Sequence, residues 1–315
     1  MVWDHEVAGS SPAAPTLKFS LKIMPEIKKM ITHENIVNKE EVESVRIMIE
    51  DYLKSARSRY NIGSGSIAEV YRADIGQGEY CVKRKEHSSG KEIFEKRIEE
   101  EMELQAQAFL IVEEREKQNK PVAKVPKPLC YVETDDGQEM IIMERIKGKT
   151  LFRLMIEEIA QTIPEDKLSE FLPGVRKEEI PDLSDRDMNE LVIDGFMGAR
   201  EKRKRMSKAE LDNHLRDQIL RRFRTKKLLP KQIMHQIANT LDAWKKNNFF
   251  HRDLHENNLM ISDDLSQAYI IDYGASSYNE YASAKDAYEI EKMGQQYLFF
   301  RDEGIFNILD QVIEQ

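Results

Sequence analysis

Cysteine is scarce: only Cys81 and Cys130 occur in 315 residues, far apart and without clustered histidines. That excludes a disulfide scaffold, gives no zinc-ligand pattern, and predicts a reducing compartment such as the cytoplasm. No apolar run reaches the ~18 residues that a membrane-spanning helix needs. The opening MVWDHEVAGSSPAAPTLKF lacks a basic segment followed by an apolar one, so no signal peptide is expected, and 1–18 reads as a disordered leader. There is no internal repeat. The full Walker pattern G-x-x-x-x-G-K-[ST] is missing, which excludes a P-loop. Positive charge is also short overall. A formal net charge of -9 argues against generic nucleic-acid binding by the whole chain.

What is present is periodic. Ile23, Ile27, Met30 and Ile31, then Val42, Val45, Ile49 and Leu53, have helical spacing and predict a helical N-terminal extension over 19–58. The period then changes. YNIGSGSIAEVYRADIGQGEYCVKRK carries β-branched residues and glycine punctuation and reads as strand, turn, strand. A charged helix is expected over 91–117, and PLCYVETDDGQEMIIMERI reads as a hairpin turned at Asp135-Asp136-Gly137. From Leu151 the pattern is almost wholly helical. The expectation is an α+β chain with a small β-rich lobe over 59–146 and a helical lobe over 147–315.

Four stretches carry chemistry. In IGSGSIAEV, glycines between two strands let backbone N–H groups approach phosphate, although a Gly-Ser-Gly is also an ordinary turn. In YCVKRK, an inward-facing Lys83 is costly without an anionic partner. Lys85 has the same strand parity and competes with it. Glu101, one turn from Ile98 and Leu104, is the expected inward partner. In HRDLHENNL, Asp253 precedes Asn258 by five positions, so a tight loop can aim both at one point. A carboxylate there can accept a hydroxyl proton, and an amide oxygen can hold a cation. In YIIDYG, Asp272 ends an apolar strand run before a glycine, which suits either a metal-directed carboxylate or a turn residue.

In this order the stretches are similar to the protein-kinase signature set, so the chain resembles the protein-kinase superfamily from about residue 60 onward. The resemblance implies a bilobal protein-kinase-like fold and an ATP- and Mg²⁺-dependent (or Mn²⁺-dependent) kinase. It implies that Asp253 is the catalytic base, that Asn258 and Asp272 hold the metal, and that Lys83, paired to Glu101, contacts the α and β phosphates. Gly63, Ser64, Gly65, Ser66 and Val70 would cover the nucleotide. IIMERIKG looks like the hinge, with Met143 as gatekeeper and Glu144 and Ile146 meeting the adenine.

Departures bear on the acceptor. His255-Glu256 replaces the usual Lys-Pro, and His255 is either a substitute charge or loop packing. A His there is similar to aminoglycoside-type phosphotransferases. Forty-three residues follow Asp272 without an Ala-Pro-Glu. The late helix is similar in placement to those of the compact RIO kinases and of the kinase in the KEOPS complex, and no phosphorylation switch is expected among Ser276, Ser277, Tyr278 and Ser283. A helical insertion is expected over about 156–230. Arg200 to Lys231 holds thirteen Lys or Arg against four Asp or Glu. That segment is either a solvated helical surface or a site for a polyanion such as an inositol phosphate, a phosphoinositide or an acidic partner. The leading expectation is an atypical Ser/Thr protein kinase. The alternatives are a small-molecule or lipid-headgroup kinase and a nucleotide-binding pseudokinase scaffold.

Overall fold

Strand alternation and one long helix set where the site falls. The computed structural model describes residues 26–54, 60–64, 68–75, 78–85, 98–162, 164–165, 168–169, 172–184, 187–188, 191, 229–254 and 256–278. Six strands form the first sheet: β1 (Ile27–Ile31), β2 (Tyr60–Ser64), β3 (Ala68–Ile75), β4 (Gly78–Lys85), β5 (Pro128–Thr134) and β6 (Glu139–Glu144). Their order is β1-β5-β6-β4-β3-β2, with antiparallel neighbours throughout.

The two faces of this sheet have different coverings, because successive side chains point to opposite sides. Val82, Cys130, Val132, Met140 and Ile142 pack with Val45, Met48, Ile49 and Tyr52 of helix α1 (Lys39–Lys54). Cys81, Tyr131, Ile141 and Met143 pack with Ile98 and Met102 of helix α2 (Ile98–Lys117). Asn38 starts α1 with a reciprocal cap. Its side-chain oxygen accepts from the backbone N–H groups of Glu40 and Glu41, and Glu41 Oε2 accepts from the Asn38 N–H. Ile49 is 1% exposed at the centre of that face. Ile49→Ala should therefore cost about 2–5 kcal/mol. The expected reading is a lower denaturant midpoint at an unchanged m-value, and an unchanged midpoint would mean that α1 contributes nothing to the stability of the sheet.

The helical reading of the N-terminal extension needs a correction at Ile27–Ile31. That segment is an edge strand on β5, with Ile31 opposite Tyr131 and Met30 opposite Val132. Its apolar spacing suits a helix, but its hydrogen-bond partner lies about a hundred residues later, and the sheet edge overrides local preference.

The second part of the fold holds strands β7 (Gly148–Thr150), β8 (Leu259–Ser262) and β9 (Ala268–Ile270) in one sheet, order β7-β8-β9. Around it stand helices α3 (Leu151–Thr162) and α4 (Lys231–Lys246) and a 3₁₀ turn at Lys177–Asp182. Gly148 is required where β7 meets β8, because a Cβ there would lie 2.2 Å from the Ile261 carbonyl oxygen. The described early part of the expected insertion is structural: Leu168, Leu172, Ile180 and Met188 sit in the main core with Phe152, Ile233 and Trp244. Arg153 of α3 fastens it by donating to the carbonyls of Pro181 and Leu183. Helix α2 spans both parts. Its start lies against the sheet, whereas Ala108 and Val112 enter the second core. The result is the bilobal α+β architecture expected from the sequence.

Candidate functional site

Lys83 reaches the site through the parity of β4. Tyr80 and Val82 face the α1 side, so Cys81 and Lys83 face inward, with Val70 of β3 and Ile141 of β6 as the cross-strand partners of Lys83. The first turn of α2 brings Glu101 opposite. Lys83 Nζ lies 2.5 Å from Glu101 Oε1 and 2.8 Å from Asp272 Oδ1. Lys83 and Glu101 side chains are 12% and 8% exposed, while Asp272 remains 43% exposed. Burial favours the neutral amine, but the charges of Asp272 and Glu101 outweigh it and raise the Lys83 pKa. Burial pushes the Glu101 carboxyl up, and the negative charge of Asp272 adds to this against the pull of Lys83. Burial also opposes ionisation of Asp272, yet the charge and hydrogen bond of Lys83 hold it at about 2. Three charges thus interlock β4, α2 and the segment after β9.

The β8–β9 hairpin positions the other side chains. Leu259 pairs with Ile270, and the Ile271 N–H donates to the Asn258 carbonyl at 3.0 Å. Asn258 and Asp272 therefore emerge at the same end of the hairpin. Asn258 Nδ2 donates to the Asp253 carbonyl at 2.7 Å and to its carboxylate Oδ2 at 3.2 Å. His251 closes the loop from behind. Its Nε2 lies 3.0 Å from the Ile271 carbonyl, which can only accept, so Nε2 carries the proton. The His251 ring stacks on Trp244 of α4 at 6.0 Å and meets Tyr273 edge-on at 5.1 Å. Tyr273 is fully buried and donates its hydroxyl to the Ile270 carbonyl.

Two backbone outliers sit here: φ is +68° at Arg252 and +67° at Asp272. Non-glycine residues adopt this left-handed region at a cost, and packing must hold them in it. After Gly274 the chain is fixed again by paired backbone hydrogen bonds between Phe250 and Ser277. Ser276 is buried and donates to the His251 carbonyl, so of the residues considered for phosphorylation it is not available.

The remaining expected residues are placed as follows. Met143 and Glu144 end β6, and Ile146 follows in the half-buried stretch before β7. Burial pushes the Cys81 thiol up to about 12, so it stays an S–H donor, 3.6 Å from the Glu144 carbonyl. Gly63 and Ser64 close β2 opposite Val70 and Glu69. Gly65, Ser66 and His255 lie outside the described residues, as does the Lys85 side chain and nearly all of the basic stretch from Arg200 to Lys231. Sequence reasoning passed over Trp244 and Gln105. Gln105 is buried one turn beyond Glu101, and its amide donates to the Pro126 carbonyl at 2.8 Å beside Met143. A polar residue four positions after Glu101, on the same helix face, was the available signal.

The donor set suits a hard cation. Asn258 spends its amide N–H on Asp253, which leaves Oδ1 as its acceptor, and Asp272 offers carboxylate oxygen. Among the described residues no group of three or more His, Cys, Asp or Glu could hold a metal. One carboxylate and one amide match Mg²⁺, which characteristically completes its shell with water and substrate phosphates.

Residues 61–282 match the phosphotransferase enzyme family. An uncharacterized protein of Acanthamoeba polyphaga mimivirus (L702) is 35% identical over 69 residues, which is 22% of this chain and 9% of that one. The kinase PK-1 of Cydia pomonella granulovirus superposes with a TM-score of 0.35 at 13% identity, over 75% of this chain and 57% of that chain. This chain thus spans a small fraction of the first relative and little more than half of the second, and the superposition is too loose to bear on function. The family match covers more than half of the sequence and includes every residue of the site. The chain belongs to the phosphotransferase enzyme family.

Proposed function

We propose that the protein is an ATP-dependent phosphotransferase that delivers a phosphoryl group to a hydroxyl acceptor. The observation that carries this reading is Lys83, held between Glu101 and Asp272 beside the Asp253–Asn258 loop. Phosphoryl transfer asks mainly for positioning and charge stabilisation. Lys83 presents its ammonium to the α and β phosphates and keeps Glu101 as a partner when it turns from Asp272. Asp253, oriented by the Asn258 amide, accepts the proton of the acceptor hydroxyl. A Mg²⁺ or Mn²⁺ ion held by Asn258 and Asp272 would neutralise charge on the phosphate oxygens. Gly63, Ser64, Val70, Met143, Glu144 and Ile146 belong to the proposed nucleotide cleft.

For the acceptor we favour a protein Ser or Thr. His255-Glu256 in place of Lys-Pro favours a second reading, a small-molecule or lipid-headgroup alcohol. Labelled ATP with panels of proteins, sugars, aminoglycosides and phosphoinositides separates the two, and transfer to none of them would favour a nucleotide-binding scaffold. Asp253→Asn is the internal control. Loss of a general base should lower transfer by about 10²–10⁴-fold with ATP affinity retained. Transfer at the wild-type rate would remove Asp253 from the mechanism.

A further inference from the structure

Glu101 lies in the first described turn of α2, opposite Lys83 of β4. Contacts from outside the helix fix how that turn sits against β4. Strand β1 supplies several of them. Lys29 Nζ lies 2.7 Å from Glu99 Oε2 and 5.5 Å from the centroid of the Tyr131 ring. The Tyr131 ring is itself buried and anchored by its hydroxyl, which donates to Glu139 of β6 at 2.6 Å. Ile31, opposite Tyr131, packs against the cluster of Cys81, Ile98, Met102, Ile141 and Met143. Met102 follows Glu101 directly, and Cys81 is two residues from Lys83. A bulge between Ile27 and Lys29 sets the strand in this register.

We propose that β1 is a positioning element of the active site: Lys29 and Ile31 hold the first turn of α2 so that Glu101 meets Lys83. Residues 26–54 precede the segment that matches the phosphotransferase family, so this tie is added to the shared catalytic part of the chain. The link to nucleotide rests on the function proposed above, whereas the link to α2 does not. An ion pair as exposed as Lys29–Glu99 is worth at most about a fivefold change, so Ile31 must supply part of the hold.

The test uses the full chain with Lys29→Glu, Glu99→Lys, the two together, Ile31→Val and Ile31→Ala. Amide hydrogen exchange over 98–103 and Mg·ATP affinity by calorimetry are measured for each, alongside the melting temperature. Lys29→Glu and Ile31→Ala should speed exchange in the first turn of α2 and weaken ATP several-fold. The charge-reversed pair should restore both, and Ile31→Val should change little. In a Glu101→Gln background, Ile31→Ala should no longer affect ATP affinity, because its effect runs through Glu101. Melting that falls with exchange over 98–103 unchanged would make β1 an edge strand only and overturn the proposal. So would an Ile31→Ala effect on ATP that is the same in the Glu101→Gln background. A wild-type protein that binds no ATP would count against the phosphotransferase reading alone, and the exchange result would still decide the tie between β1 and α2.

Discussion

Asp272→Asn should reduce phosphoryl transfer by at least about 10²–10³-fold, the scale on which loss of one preorganised charge-stabilising group acts. The fold should persist. Asp272 carries a φ of +67°, a conformation that Asn tolerates better than any other side-chain-bearing residue. Asn is therefore a cleaner test than Ala, which would add backbone strain to the loss of the proposed metal-binding carboxylate. The side chain is 43% exposed, so an amide in its place is not left in a dry interior. Lys83 also keeps its bond to Glu101. Circular dichroism and the melting temperature should stay near wild type while transfer from labelled ATP collapses. Transfer near the wild-type rate would remove Asp272 from the chemistry and leave it as a structural partner of Lys83.

The parts of this site that sequence alone made legible are those set by local spacing. Asp253 and Asn258 lie five residues apart in one loop, and the apolar run before Asp272 marks the second strand of their hairpin. Strand parity left Lys83 and Lys85 equally placed, and periodicity singled out Glu101 only as facing inward. The resemblance to the kinase signature selects Lys83, and in the structure Glu101 and Asp272 converge on it from two other elements. The strand at Ile27–Ile31 was not legible: its pattern fits a helix equally well, and its partner β5 is distant in sequence. Nothing local marks Ser276 as buried or Trp244 as the plate under His251. Both are tertiary: Trp244 comes from α4, and Ser276 is held by the His251 carbonyl. The strained φ values at Arg252 and Asp272 were likewise hidden, since neither residue is the glycine that normally announces that conformation.

The second large effect is expected at Lys83, where stability and catalysis can be separated. Lys83→Met keeps length and apolar stem but removes the cation between two carboxylates. Asp272 is exposed enough to turn to solvent, whereas Glu101, at 8%, is not. Removing one partner of a buried pair typically costs about 3–5 kcal/mol, because the other charge is left uncompensated. Lys83→Met should therefore lose transfer and melt at lower temperature. Burial already pushes Glu101 up, and without Lys83 it should take a proton more readily. A carboxyl whose pKa is raised in the folded state binds more protons there than in the unfolded chain, so stability rises as pH falls through that window. The deficit of Lys83→Met should accordingly shrink toward acidic pH. Adding Glu101→Gln should recover much of the lost stability at neutral pH while transfer stays abolished, since the cation proposed to face the phosphates is still missing. Lys85→Ala should leave transfer intact. A double variant no more stable than Lys83→Met would show that Glu101 is not the group Lys83 compensates. Loss of transfer in Lys85→Ala but not in Lys83→Met would shift the functional lysine by one inward position along β4.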